Sequence, residues 1–182
     1  MAEFAIYKRT EPGAALEQGE IISGLYRYTV TIPFELDKPP QLRFAVLDFV
    51  VVLSQTCDLT ARIPVDDRGV LLCEARLLQD LPRPGGSDIL RKIKNNLDHR
   101  YQYLRQFEAD VDSQSKGSTG ALYLDFRRIF SVPCDELMFQ VGDSGPAKRR
   151  CSLEVPYREH LAARYAGYLA RVALPEDHNQ DG

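Results

Sequence analysis

The densest run of side chains able to do chemistry is Ser54-Gln55-Thr56-Cys57-Asp58, set directly after the apolar stretch Phe49 to Leu53. Hydroxyl, amide, thiol and carboxyl groups packed this closely offer several chemistries. Cys57 is a nucleophile if a histidine base comes within hydrogen-bond reach, and His99, His160 and His178 are available. Cys57 and Asp58 are half of a mixed metal site if Cys73 and Glu74 converge on them. The run is a binding surface if its polar groups face outward. It is a plain strand cap if Ser54 and Asp58 bond nearby backbone. All four readings fit the spacing.

A second set is basic and aromatic. Arg91, Lys92, Lys94, His99, Arg100 and Arg105 crowd one stretch that also holds Tyr101, Tyr103 and Phe107. With Arg127 and Arg128 they make a candidate surface for phosphate and stacked bases, as single-stranded nucleic acid requires. The alternative is a solvated helix face whose Tyr101 and Phe107 belong to the core.

The elements that position these groups follow from periodicity. Residues 1–18 read as a leader, either an edge strand or a loose arm. Gly19 to Pro33 reads as one or two strands, with Tyr26, Tyr28, Val30 and Ile32 on one face and Arg27, Thr29 and Thr31 on the other. Asp37-Lys38-Pro39-Pro40 is a stiff loop. Phe44 to Leu53 reads as strand in two pieces broken at Asp48, because a lone carboxylate within apolar sequence suits a bulge or turn. Its Val-rich second half suits a strand buried on both faces. Asp66-Asp67-Arg68-Gly69 suits a hairpin turn, and Val70 to Leu78 is the next strand, with Glu74 and Arg76 spaced for an ion pair on one face.

Residues 88–107 are expected to form an inserted amphipathic helix. Leu90, Ile93, Leu97, Tyr101 and Leu104 recur at spacings of 3, 4, 4 and 3, and Ser87 suits the N-cap. A polar loop follows to Gly120. Ala121 to Val132 alternates as a strand, Pro133 to Leu137 starts a turn or short helix, and Gly142 to Arg150 reads as a loop. A C-terminal helix is expected over 156–174, with Pro156 in its first turn and Leu161, Tyr165, Tyr168 and Val172 as its stripe. Pro175 ends it ahead of a polar tail.

Composition narrows the function. The chain has 182 residues, 44% hydrophobic and 27% charged, with net charge −3, which describes a globular domain and not a polybasic nucleic-acid binder. The expectation is a single domain over 1–182. The four cysteines, Cys57, Cys73, Cys134 and Cys151, form no CxxC, so reduced thiols are expected. No secretory signal or membrane-length apolar run is seen. No Gly-rich phosphate loop, HExxH or GxSxG occurs, and no metal or cofactor is expected.

Three segments, taken in order, resemble the PemK/MazF family of toxin–antitoxin growth inhibitors. Gly19-Glu20-Ile21 resembles the family's opening Gly-Asp-Ile. Val50-Val51-Val52-Leu53-Ser54 resembles its central strand, which commonly ends in Ser-Asn. Asp125-Phe126-Arg127-Arg128-Ile129 through Leu137 resembles its late strand and helix start.

The resemblance implies an α+β chain, either a small SH3-like β-barrel or a strongly bent antiparallel sheet, carrying the inserted and C-terminal helices. Catalytic members cut single-stranded RNA with an Arg ahead of the central strand and a Ser or Thr after the next. Here Asp48-Phe49 stands where Arg-Pro would be, and Arg76 falls near the hydroxyl position. A carboxylate in place of a cation reverses the sign of the electrostatic stabilisation at a scissile phosphate.

The expectation is therefore a non-catalytic, cytoplasmic binding module of a bacterial toxin–antitoxin or phage-defence system. It would act through a protein partner or RNA by way of Ser54, Gln55, Thr56, Cys57, Asp58, Arg127 and Arg128, and would be able to form a homodimer. The alternative is a metal-independent endoribonuclease with a rearranged site drawn from Arg43, Arg76, Arg127, Ser54 and Thr56.

Overall fold

The computed structural model describes residues 5–11, 13–33, 39–60, 69–81, 87–106 and 120–170. The chain is α+β. Its strands are β1 (Tyr7–Arg9), β2 (Glu20–Thr31), β3 (Gln41–Val52), β4 (Gly69–Leu77), β5 (Tyr101–Leu104), β6 (Leu122–Pro133) and β7 (Lys148–Leu153). They form one antiparallel sheet in the order β1-β7-β2-β3-β4-β6-β5. The helices are α1 (Thr56–Thr60), α2 (Ser87–Lys94), α3 (Cys134–Val141) and α4 (Tyr157–Leu169).

Both faces of the sheet's inner part are covered, as the apolar run at the end of β3, Val50 to Val52, requires. Ile21, Val51, Cys73, Leu124, Phe126 and Leu153 form one core, closed by Leu161 of α4 with Tyr165 and Tyr168 beside it. Ile22, Val50, Val52, Leu72 and Val132 form the other, closed by Cys134 and Leu137 of α3. Burying each such aliphatic or aromatic side chain contributes roughly 1.5–3 kcal/mol. The stripe expected for the C-terminal helix is thus the packed face of α4 as far as Tyr168. Val172, Pro175 and the tail lie outside the described residues, and so do Asp66 to Arg68 and Asp37-Lys38.

Two irregularities shape the sheet. In the β4–β6 ladder Cys73 stands opposite Ile129 but Ala75 opposite Leu124, so two steps on β4 match five on β6. The excess residues bulge at Asp125 to Arg128 and bend the strand. In the β2–β7 ladder the register shifts between Ile21 and Ile22. The sheet curls far enough that Tyr7 on β1 donates its hydroxyl to the carbonyl of Arg105, just past β5, at 2.6 Å. No ladder joins β1 to β5 among the described residues, so the sheet is open.

Several expectations are corrected. Residues 88–107 are not one helix. α2 ends at Lys94, where Asn96 takes φ 51. Leu97 N donates to Lys92 O at 2.8 Å and Asn96 N to Ile93 O at 2.9 Å. That pairing is a Schellman ending, for which Asn is suited because it tolerates the left-handed conformation. Asn96 Oδ1 then accepts from Tyr103 N at 2.9 Å, and Tyr101 to Leu104 continue as a strand beside β6. Ser87 opens α2, but its side chain lies outside the described residues. β3 is unbroken: Asp48 is exposed and falls opposite Gly24 without a register change. Gly24, at φ +72, supplies the local twist. The expected loop of Gly142 to Arg150 ends early, since Lys148-Arg149-Arg150 opens β7.

Candidate functional site

The Ser54–Asp58 run leaves the end of β3 and turns into α1. Two of its hydroxyls are committed to structure: Ser54 Oγ accepts from Leu71 N at 2.8 Å, and Thr56 Oγ1 accepts from Gln18 N at 3.1 Å. Gln55, Cys57 and Asp58 share a short surface. The Cys57 thiol lies 3.5 Å from Gln55 Oε1 and 3.7 Å from Asp58 Oδ1.

The hydrogen-bond neighbours of Cys57 are therefore an amide and a carboxylate, and not an imidazole. His99 is exposed in the turn after α2, His160 lies on α4, and His178 is outside the described residues. The quartet Cys57, Asp58, Cys73 and Glu74 does not assemble. Cys73 and Glu74 are adjacent on β4 and so point to opposite faces, and Cys73 Sγ is buried against the carbonyl of Asp125 at 3.3 Å. Burial pushes its thiol well above the usual cysteine range. Among the described residues no group of His, Cys, Asp or Glu is arranged to hold a metal ion.

Arg76, Arg127 and Arg128 are neutralised, and Arg43 lies apart from them. Arg76 Nε donates to Glu74 Oε1 at 2.6 Å, and Arg128 donates to Glu74 Oε2 at 3.3 Å. Arg127 meets Asp125 through two nitrogens, at 2.8 and 2.7 Å, and reaches Tyr101 Oη at 2.9 Å. Hydrogen bonding to these carboxylates raises the pKa of Arg76 and of Arg127, fixing both charges while cancelling their reach. Arg43 sits on the outer half of β3, opposite Thr29. It lies about 20 Å along the strand from Phe49, the level at which β4 begins to pair. Ser54 touches β4 at Leu71, about 16 Å from Arg76. The five residues of the ribonuclease alternative therefore do not share a site.

A different set does converge. Between the two edges of the curled sheet lies a cavity of about 330 Å³. Ile6 just before β1, Tyr7 on β1 and Leu153 on β7 line it, with Gln102 to Leu104 on β5, Arg105 just past β5, Lys94 and Asn96 at the end of α2, and Tyr157 and His160 on α4. Its ionisable groups include Lys94, Arg105 and His160, and no carboxylate lines it among the described residues. Gln102 is buried, and its amide oxygen has no hydrogen-bond partner among the described residues. Apolar walls with a few converging polar groups of one sign are what a ligand site for an anion requires.

The sequence signalled Lys94, Tyr103 and Arg105 as a basic–aromatic set but placed them on a helix beside Phe107, which lies outside the described residues. Tyr7 and His160 join them only through the curl of the sheet. Tyr101, by contrast, is core, packed with Ile93 and Tyr123.

No protein-family model, curated protein or solved structure matches this chain. No helix among the described residues is long and apolar enough to cross a membrane.

Proposed function

We propose that the chain is a non-catalytic binding module of the PemK/MazF kind, serving a bacterial toxin–antitoxin or phage-defence system in the cytoplasm. It holds a protein partner at the cavity between β1 and β5. The observation that carries this reading is the charge arrangement. Of the arginines a ribonuclease would need, Arg76 and Arg127 are spent on Glu74 and Asp125, while Lys94, Arg105 and His160 face the cavity with no carboxylate among the described residues that line it. A partner segment with an acidic group next to an apolar or aromatic side chain fits that lining, as an antitoxin-like peptide would present. The curl that brings β1 against β5 supports the barrel-like part of the resemblance.

A second reading is favoured by one contact set. Tyr103, beside Lys94 and Arg105, offers a stacking face next to phosphate-pairing cations, which suits single-stranded RNA.

The test incubates the purified protein with a long single-stranded RNA, with and without divalent metal, and scores cleavage and retention on gels. In parallel, labelled acidic–aromatic peptides are titrated by fluorescence anisotropy. The expected result is no cleavage and peptide binding that weakens with Lys94→Glu or Arg105→Glu. RNA retention lost in the same two variants, with no peptide binding, would favour the second reading. Specific cuts abolished by Arg127→Ala or Arg76→Ala would replace both readings with the endoribonuclease.

A further inference from the structure

Among the described residues the outer halves of β2 and β3 pair only with each other. β7 leaves β2 at Ser23, and β4 joins β3 only from Phe49 inward. Residues 25–31 and 41–47 thus form a two-stranded arm. Its back is anchored. Leu25 is buried with Leu47 packed nearby, and the Arg27 guanidinium lies 4.5 Å from the centre of the Phe130 ring. Gln140 of α3 bonds both the amide and the carbonyl of Tyr26, at 2.7 and 2.9 Å, where β7 has left off.

No described residue covers the front of the arm. Register places Tyr26 opposite Val46, Tyr28 opposite Phe44 and Val30 opposite Leu42, all on one face, with Ile32 beyond them. From Tyr28 outward these side chains are half to three-quarters exposed. Arg27, Thr29, Arg43 and Gln41 occupy the opposite face. The Phe44 ring packs against Tyr26 and Tyr28, with centroids 6.2 and 6.5 Å apart, and forms the middle of the stripe.

The exposed stripe amounts to roughly 600 Å², at or above the largest apolar patch of an ordinary monomer. A two-stranded hairpin is marginally stable in water without something packed on its apolar face.

We propose that a second copy of this chain covers this face: two arms stack front to front about a two-fold axis near Phe44. The area fits, because two such faces bury about 1,200 Å², the lower bound for a stable specific interface. The charge pattern fits as well. Among the described residues the stripe itself, Tyr26 to Ile32 with Leu42 to Val46, carries no charge on this face; Asp48 stands only beyond its inner end, and Arg27 and Arg43 lie behind, so an isologous contact centred on Phe44 stacks apolar on apolar. An acidic protein or a nucleic acid would find nothing to pair with on it. The assignment is independent of the cavity between β1 and β5.

The experiment is sedimentation velocity of the full chain across micromolar concentrations. The expected species has twice the 20.6 kDa chain mass. Phe44→Glu should raise the dissociation constant by about 100-fold or more, while Arg43→Ala, on the back face, leaves it within a few-fold. Circular dichroism checks each variant. If Phe44→Glu unfolds, Val30→Thr with Leu42→Thr keeps strand propensity and should weaken the dimer in the same direction. A wild-type monomer at every concentration overturns the proposal, whether or not the chain then floats with phosphatidylcholine vesicles. So does a dimer indifferent to both front-face variants.

Discussion

The hydroxyl of Tyr7 donates to the carbonyl of Arg105 at 2.6 Å, linking the two strands that stand at opposite ends of the sheet order. One hydrogen bond therefore joins edges separated in sequence by nearly a hundred residues, beside the cationic cavity. Tyr7→Phe keeps the ring and removes the donor. It should lower stability by about 0.5–1.5 kcal/mol, read as a shift in urea midpoint with an unchanged slope. The pH dependence has a definite sign. Burial raises the Tyr7 phenol above its ordinary value of 10.0, so its contribution is fully present below pH 10 and is lost as pH rises through the raised value. The gap between wild type and Tyr7→Phe should narrow only on the alkaline side. A gap that closes already between pH 7 and 9 would contradict the latch.

Glu74 holds both Arg76 and Arg128 with only 12% of its side chain exposed, while the two arginines remain about 40% exposed. Glu74→Gln should thus release two solvated cations while nearly preserving shape. Binding of a single-stranded oligoribonucleotide should tighten, and the log–log salt slope should steepen by about 0.7 to 1.4, one phosphate contact for each freed arginine. An unchanged slope would mean that neutralisation by Glu74 is not what restrains this surface.

Much of the fold follows from local pattern, and the exceptions have identifiable causes. The apolar run of β3, the alternation of Leu122, Leu124 and Phe126 on β6, and the stripe of Leu161, Tyr165 and Tyr168 each report a face that is in fact packed. Leu97 to Leu104 departs from the expected helix because Tyr101 and Leu104 satisfy a helical spacing as readily as a short strand; Asn95-Asn96 is the stop signal the sequence carries. Lys148-Arg149-Arg150 resembled a loop because its charges hide their partners. Arg149 is in fact paired to the buried Glu20 and bonded to the carbonyls of Ala14 and Ala15. The arm's alternation was legible on β2, but period two shows only that one face is apolar, not whether anything covers it. The cavity was beyond local reading altogether, since Tyr7, Arg105 and His160 meet only through the curl.

That Glu20–Arg149 pair makes a sharp stability prediction. Glu20 is almost fully buried, and Arg149 Nη2 lies 2.9 Å from its Oε2. Removing one partner leaves an uncompensated charge inside the protein. Arg149→Met should cost about 3–5 kcal/mol, whereas the double variant with Glu20→Leu should recover a large part of it. Thermal melts of the two variants side by side measure the coupling. A double variant as unstable as the sum of the singles would show that the pair is not the reason.

The thiols should divide one against three. Cys57 is exposed, whereas Cys73, Cys134 and Cys151 are buried, and burial also keeps Cys73 protonated at neutral pH. A disulfide-exchange reagent at pH 8 should titrate one thiol rapidly in the native protein and four after denaturation. Cys57→Ser should abolish the fast phase. A second fast thiol would indicate that a sheet face opens on the timescale of the assay.

Glu17 gives the acid counterpart of the Tyr7 latch. It lies 2.6 Å from Lys8 Nζ on β1 and 3.5 Å from Arg158 on α4, bridging an edge strand to the helix over the same core. The hydrogen bond from Lys8 leads in pulling its carboxyl below the ordinary 4.5. A depressed carboxyl contributes stability that is present above that ordinary value and lost as pH falls through the folded one. The wild type should therefore exceed Glu17→Gln by a constant margin from pH 7 to 5, and the margin should shrink below pH 4.5. High salt should reduce the margin only partly, because the groups are half-buried and screening acts most on fully solvated charges. A margin that disappears on acidification before pH 5 would assign the effect to some other group.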